Sequence, residues 1–187
     1  MLEFGTPYQL LAATVLSAQT TDVQVNKVTK KLFELAPTPE KMVDLGEDSI
    51  KEIIRSIGFY NNKSKNLLRL SQKLIDEFDS KVPETMDALM SLDGVGQKTA
   101  SVVAANCFGA PVIAVDTHVF RVSKRLGLAD ESTPEKVQFQ LQKAIAKNLR
   151  SKAHHLLIFH GRTLCTAAKP KCESCPLTKL CDYYLKK

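Results

Sequence analysis

Only four consecutive residues, Val112 to Val115, read as a strand in this chain of 187. Four residues cannot found a sheet, so the apolar pattern elsewhere must build the core. That pattern is helical. Val25, Val28, Leu32 and Leu35 fall on one face of a helix starting near Asp22, and Leu67, Leu68, Leu74, Ile75 and Phe78 mark a second. Val119, Val122 and Leu126 mark a third, and Val137, Leu141, Ile145 and Leu149 a fourth. Thr38-Pro39 and Thr133-Pro134 each set a capping hydroxyl before a proline at the first helical position, and Ser49 and Thr85 read as further caps. Gly46, Gly58, Gly109 and Gly127 close helices. The expectation is an all-α chain of about ten short helices, with Val112–Val115 as an extended connector.

Composition excludes several classes. Apolar residues make up 44% and charged residues 25%, ordinary values for a soluble globular domain. The longest early apolar run, Leu10 to Leu16, is far short of the roughly 20 residues a membrane span needs. No Lys or Arg precedes Lys27, so the run lacks a signal peptide's basic flank, and the expected location is the cytoplasm. The charge is lopsided. Residues 1–146 carry 17 Lys and Arg against 18 Asp and Glu, whereas residues 147–187 carry 9 against 2. A polyanion partner on the C-terminal side fits that asymmetry.

Two glycines interrupt the helical pattern at Leu92-Asp93-Gly94-Val95-Gly96-Gln97-Lys98-Thr99-Ala100. A helix from about Thr85 to Ser91 precedes them and one from about Gln97 to Cys107 follows. Amides at Gly94, Gly96 and the second helix's start form a ready phosphate site. A helix, not a strand, comes first, which rules out a dinucleotide fold, and the glycine spacing is wrong for a P-loop. Lys98 opens the second helix, where the dipole disfavours an ammonium, and a neutral amine is what Schiff-base chemistry needs. Asp116, in Val115-Asp116-Thr117-His118, sits at an N-cap position. A carboxylate fixed there could also steady a cation or move a proton. Arg121, Lys124 and Arg125 are expected to face solvent and touch phosphates.

Four of the five cysteines follow the spacing Cys165-x6-Cys172-x2-Cys175-x5-Cys181. Four thiolates in so short a loop can wrap one metal centre. Zinc and an iron–sulfur cluster both accept four cysteines. Only the central pair is close in sequence, which leans toward the cluster. His154, His155 and His160 lie upstream on a helix and are not needed as ligands. Cys107 stands apart as a small packed residue.

Taken together, these segments resemble the endonuclease III family of DNA glycosylases, of the helix-hairpin-helix superfamily. The resemblance also covers Leu16-Ser17-Ala18-Gln19-Thr20-Thr21-Asp22, Ile57-Gly58-Phe59-Tyr60-Asn61, His154-His155 and His160-Gly161-Arg162. It implies a six-helix barrel domain over residues 1–110, holding the helix-hairpin-helix at about 85–107. A smaller iron–sulfur domain would follow over residues 111–187, with the lesion bound between the two. Family members begin roughly one helix earlier, and that segment helps build the cluster domain. The resemblance implies a [4Fe-4S] cluster on Cys165, Cys172, Cys175 and Cys181, with zinc as the alternative. It makes Lys98 the nucleophile and Asp116 the essential carboxylate. Gln19 fills the gap left by the flipped nucleotide, Phe59 wedges the opposite strand, and Gly94, Gly96, Lys169 and Lys171 meet the backbone. Leucine is usual where this chain has Phe59. The implied activity is removal of oxidised pyrimidines from double-stranded DNA and β-elimination at abasic sites, by a monomer with no membrane partner.

Three rivals remain. A monofunctional adenine glycosylase of the same superfamily carries glutamate where this chain has Val15 and lacks a lysine at position 98. A non-catalytic helix-hairpin-helix DNA-binding protein has no use for Lys98 and Asp116. An electron carrier has no use for the hairpin.

Overall fold

The structure, a computed structural model, describes residues 2–186. Every regular element among them is helical, so the all-α expectation holds. The chain divides into two compact units, Met1–Phe108 and Gly109–Lys187.

The first unit contains α1 (Pro7–Leu16), α2 (Asp22–Leu35), α3 (Pro39–Leu45), α4 (Glu47–Ile54), α5 (Tyr60–Phe78), α6 (Met86–Met90) and α7 (Gln97–Phe108). Its centre is α1. Every residue from Leu10 to Leu16 is buried, as expected of a helix that is apolar all round. Helices α2, α5 and α7 pack on it. Threonines start four of these helices: Thr6, Thr21, Thr38 and Thr85 each accept a hydrogen bond from the amide three residues on. Ser49 is not a cap. Helix α4 begins at Glu47 behind Gly46, whose φ of +76° ends α3 and starts α4 in one residue, a backbone that glycine adopts without strain.

The second unit contains α8 (Thr117–Leu126), α9 (Pro134–Ala144), α10 (Arg150–Thr163) and α11 (Asp182–Leu185), with single 3-10 turns at Lys147–Leu149, Cys172–Ser174 and Thr178–Leu180. Val112–Val115 makes no strand but threads inward as a connector with Ile113, Ala114 and Val115 buried. Ile113 and Val115 join Val119, Val122, Val137, Leu141 and Leu157 in a small core. Leu149, expected on the α9 face, lies beyond the helix end and is exposed. Helices α8 and α10 pack closely where Gly161 leaves room. A Cβ there would lie 3.0 Å from His118 Cβ and 3.1 Å from Val122 Cγ2. Among the described residues no helix is long and apolar enough to cross a membrane.

Candidate functional site

In the first unit, α6 and α7 form a helical hairpin. Leu92 and Val95 are buried and pin the turn, while Gly94 and Gly96 between and after them are exposed. Gly94 takes φ +76° and presses on α5: an added Cβ would lie 2.8 Å from Asn66 Nδ2. Glycine is therefore needed twice, for backbone conformation and for close approach. The first amides of α7 have no partner within the helix and stand beside these glycines. Lys98, the second residue of α7, is exposed. Its amine is thus presented at a helix start beside a turn shaped to receive an anion.

Two other predicted residues in this unit share an unusual backbone. Gln19 has φ +54° and Phe59 φ +58°. Such values are uncommon for residues with a Cβ, and for a bulky aromatic they are outliers that only the surrounding structure can hold. Both side chains are exposed, Phe59 by 65%. By residue type alone Phe59 belongs in a core, yet the fold turns it outward.

In the second unit, Asp116 caps α8, its Oδ1 accepting from the Val119 amide at 2.8 Å. The side chain is half-buried and fixed in direction. Arg121 and Arg125 depart from the sequence expectation, for neither faces solvent freely. Arg121 donates to the carbonyls of Gly161 at 2.9 Å and Cys165 at 3.1 Å. Arg125 donates to the carbonyls of Thr166 at 2.7 Å and Ala167 at 2.9 Å, and stacks 4.7 Å from the Tyr183 ring. The two arginines, one turn apart, clamp the start of the cysteine loop. Their partners lie forty or more residues away, so nothing in the local sequence marks these arginines as turned inward.

All four loop cysteines are half-buried, form no disulfide and line one pocket with Leu126, His160 and Tyr183. Arg125 Nη1 lies 3.4 Å from Cys165 Sγ, His160 Nε2 3.7 Å from Cys175 Sγ, and Cys181 Sγ points at the Arg125 carbonyl at 3.2 Å. Burial lowers the pKa of His160, favouring its neutral form. The thiols surround a space rather than converge on a point. Among the described residues, no three of His, Cys, Asp and Glu are close enough together to share one metal ion. Lys169 and Lys171 are exposed on the same loop. Cys107 is outside the pocket and half-buried, which raises its thiol pKa.

Residues 12–147 match a family described as HhH-GPD superfamily base excision DNA repair protein. Endonuclease III of Rickettsia conorii is 49% identical over 98% of this chain and 87% of its own length. Endonuclease III of Escherichia coli is 46% identical over 97% of this chain and 86% of its own length. A solved structure of a trapped endonuclease III–DNA covalent intermediate superposes with a TM-score of 0.93 at 48% identity, over 99% of this chain and 87% of that one. A thermostable thymine-DNA glycosylase superposes with a TM-score of 0.89 at 27% identity, over 97% of this chain and 86% of that one.

Proposed function

Since this chain belongs to the endonuclease III family, within the HhH-GPD superfamily of base excision DNA repair proteins, we propose that it excises oxidised pyrimidines from duplex DNA and cuts the resulting abasic site through a Schiff base on Lys98. The single observation that carries this reading is Lys98 itself, exposed at the start of α7 beside the glycine turn. A DNA-binding module would need the turn's amides but not an amine there.

The damaged base must leave the stack before its sugar can be reached. Amides at Gly94, Gly96 and the α7 start grip the strand, Gln19 fills the gap, and Phe59 wedges the opposite strand. The neutral Lys98 Nζ attacks C1′, the glycosidic bond breaks, and the base departs with a proton. The nitrogen lone pair then opens the sugar ring, O4′ leaves and takes up a proton from solvent or a neighbouring acid, and the nitrogen keeps its one N–H as the iminium. The iminium acidifies C2′–H. A base removes that proton, the 3′ C–O bond breaks, and hydrolysis returns the free amine. Asp116 supplies the carboxylate that steadies the cationic sugar or moves the proton. In this reading residues 1–110 grip and cut, and residues 111–187 hold the cysteine loop, with Lys169 and Lys171 on backbone phosphates. A duplex-DNA substrate is consistent with a location in the cytoplasm, at the nucleoid.

A [4Fe-4S] cluster on Cys165, Cys172, Cys175 and Cys181 fits the spacing better than zinc, since zinc sites more often use two short cysteine pairs and here only Cys172 and Cys175 are close in sequence. When bound, it supplies four iron–thiolate bonds that fix the loop's shape.

Borohydride trapping tests the reading. Duplexes bearing one abasic site or one oxidised thymine should each give a covalent adduct with the wild type and none with Lys98→Gln, which should still bind DNA. An adduct surviving in Lys98→Gln would remove Lys98 as the nucleophile. An adduct with the abasic duplex alone would leave a lyase without the proposed base specificity.

A further inference from the structure

Helix α5 is the longest in the molecule, and one side of it reaches three different segments of the first unit. Phe59 is its N-cap residue. Lys63, one turn on, extends its Nζ to Thr20 Oγ1 at 2.8 Å. Asn66 stands against Gly94. Arg69 pairs with Asp93 at 3.9 Å, and Lys73 donates to the Ser91 carbonyl at 2.9 Å. The spacings of four, three, three and four residues keep all five positions on one side of the helix. A single rigid element therefore carries the wedge residue and braces both the Gln19 turn and the hairpin.

Lys63 is the unusual member. Its residue is only 5% exposed, and burial lowers the pKa of its ammonium. Among the described residues, the hydrogen bond compensating it goes to a neutral hydroxyl. Stability gives no reason for a lysine here, since a methionine would fill the space without the desolvation penalty. The bond's location supplies a different reason. Thr20 follows Gln19 directly. Its hydroxyl donates to the Ala18 carbonyl at 3.3 Å while accepting from Lys63, and its amide donates to the Ser17 carbonyl at 3.1 Å. These bonds close a turn around Gln19 and hold it at φ +54° with its side chain outward.

We propose that Lys63 is a positioning residue for lesion engagement: through Thr20 it holds the Gln19 turn in the conformation that enters the duplex. The proposal rests on the reading of Gln19 as the gap-filling residue. Without the brace, the left-handed Gln19 relaxes to ordinary backbone, and binding must reorder it.

The test is equilibrium binding to a duplex carrying one tetrahydrofuran abasic analogue and to the same duplex undamaged. Lys63→Met and Thr20→Val should each weaken binding to the analogue by about tenfold, with undamaged duplex bound as before. On cleavable DNA both should raise KM more than they lower kcat. Lys63→Arg should recover part of the loss. Lys63→Met should cost nothing further in a Gln19→Ala background, because it acts through that residue. An undiminished penalty in that background, or equal weakening on both duplexes, would mean that Lys63 meets DNA directly and would overturn the proposal. Thr20→Val tests the same bond without touching the lysine, so a folding defect in Lys63→Met leaves the question answerable. Weakening by Gln19→Ala with none by Thr20→Val or Lys63→Met sinks the Lys63 role alone. No effect of Gln19→Ala sinks the gap-filling reading and this proposal with it.

Discussion

At the residue scale, the hairpin depends on a side chain that is missing. Gly94 combines φ +76° with contact against Asn66. Gly94→Ala meets both penalties and should lower stability by about 1–3 kcal/mol, read as a drop in Tm. Adding Asn66→Ala removes the steric part and should restore some of the loss, while the backbone part stays. Full recovery in the double variant would show that the positive φ costs little here. Gln19 and Phe59 belong to the same scale. Their motifs are visible in the sequence, but no local pattern gives either of them a left-handed backbone. That conformation is imposed by what holds the neighbouring residues.

At the element scale, Asp116 has two tasks that ordinary substitutions confuse. It caps α8 through the Val119 amide, and the proposed chemistry uses its charge. Asparagine caps a helix about as well as aspartate. Asp116→Asn should therefore keep stability within a few tenths of a kcal/mol, read as a nearly unchanged Tm, while activity on an abasic duplex falls by about a hundredfold or more. Asp116→Ala should lose activity and also about 1 kcal/mol of stability. Equal activity in Asp116→Asn and wild type would leave the residue as a cap only. Helix α8 also shows why amphipathic reading misplaces arginine. Arg121 and Arg125 look like a solvated basic face, yet a guanidinium can bond several carbonyls at once, and the end of α10 and the start of the cysteine loop together offer four.

At the scale of the whole molecule, the two units differ in what holds them. The first is built around the buried α1. In the second, beyond α10, no residue from Leu164 to Lys186 is fully buried, so the cysteine loop has no apolar core of its own. The Arg121 and Arg125 bonds hold its start, and in the proposed reading metal–thiolate bonds hold the rest. Cys175→Ser should lose iron, measured as iron per protein, and should let trypsin cut at Lys171 and Lys179 faster than in the wild type. Unchanged cutting rates with the iron gone would show that the Arg121 and Arg125 bonds suffice.

The sequence by itself determined the helices, most of their starts, the hairpin and the candidate metal ligands. Those features are written in local spacing: a 3.6-residue period, threonine caps, paired glycines and four cysteines in one short stretch. Ser49 and Leu149 failed for a related reason, since a capping residue type and an apolar residue in phase each have several local solutions. Tertiary structure alone decided which charged groups turn inward. Lys63 under the Gln19 turn and the two arginines under the cysteine loop each sit beside partners more than forty residues away or nearly so. Whether a long charged side chain is solvated or buried depends on what the fold brings over it, and no spacing along one helix records that.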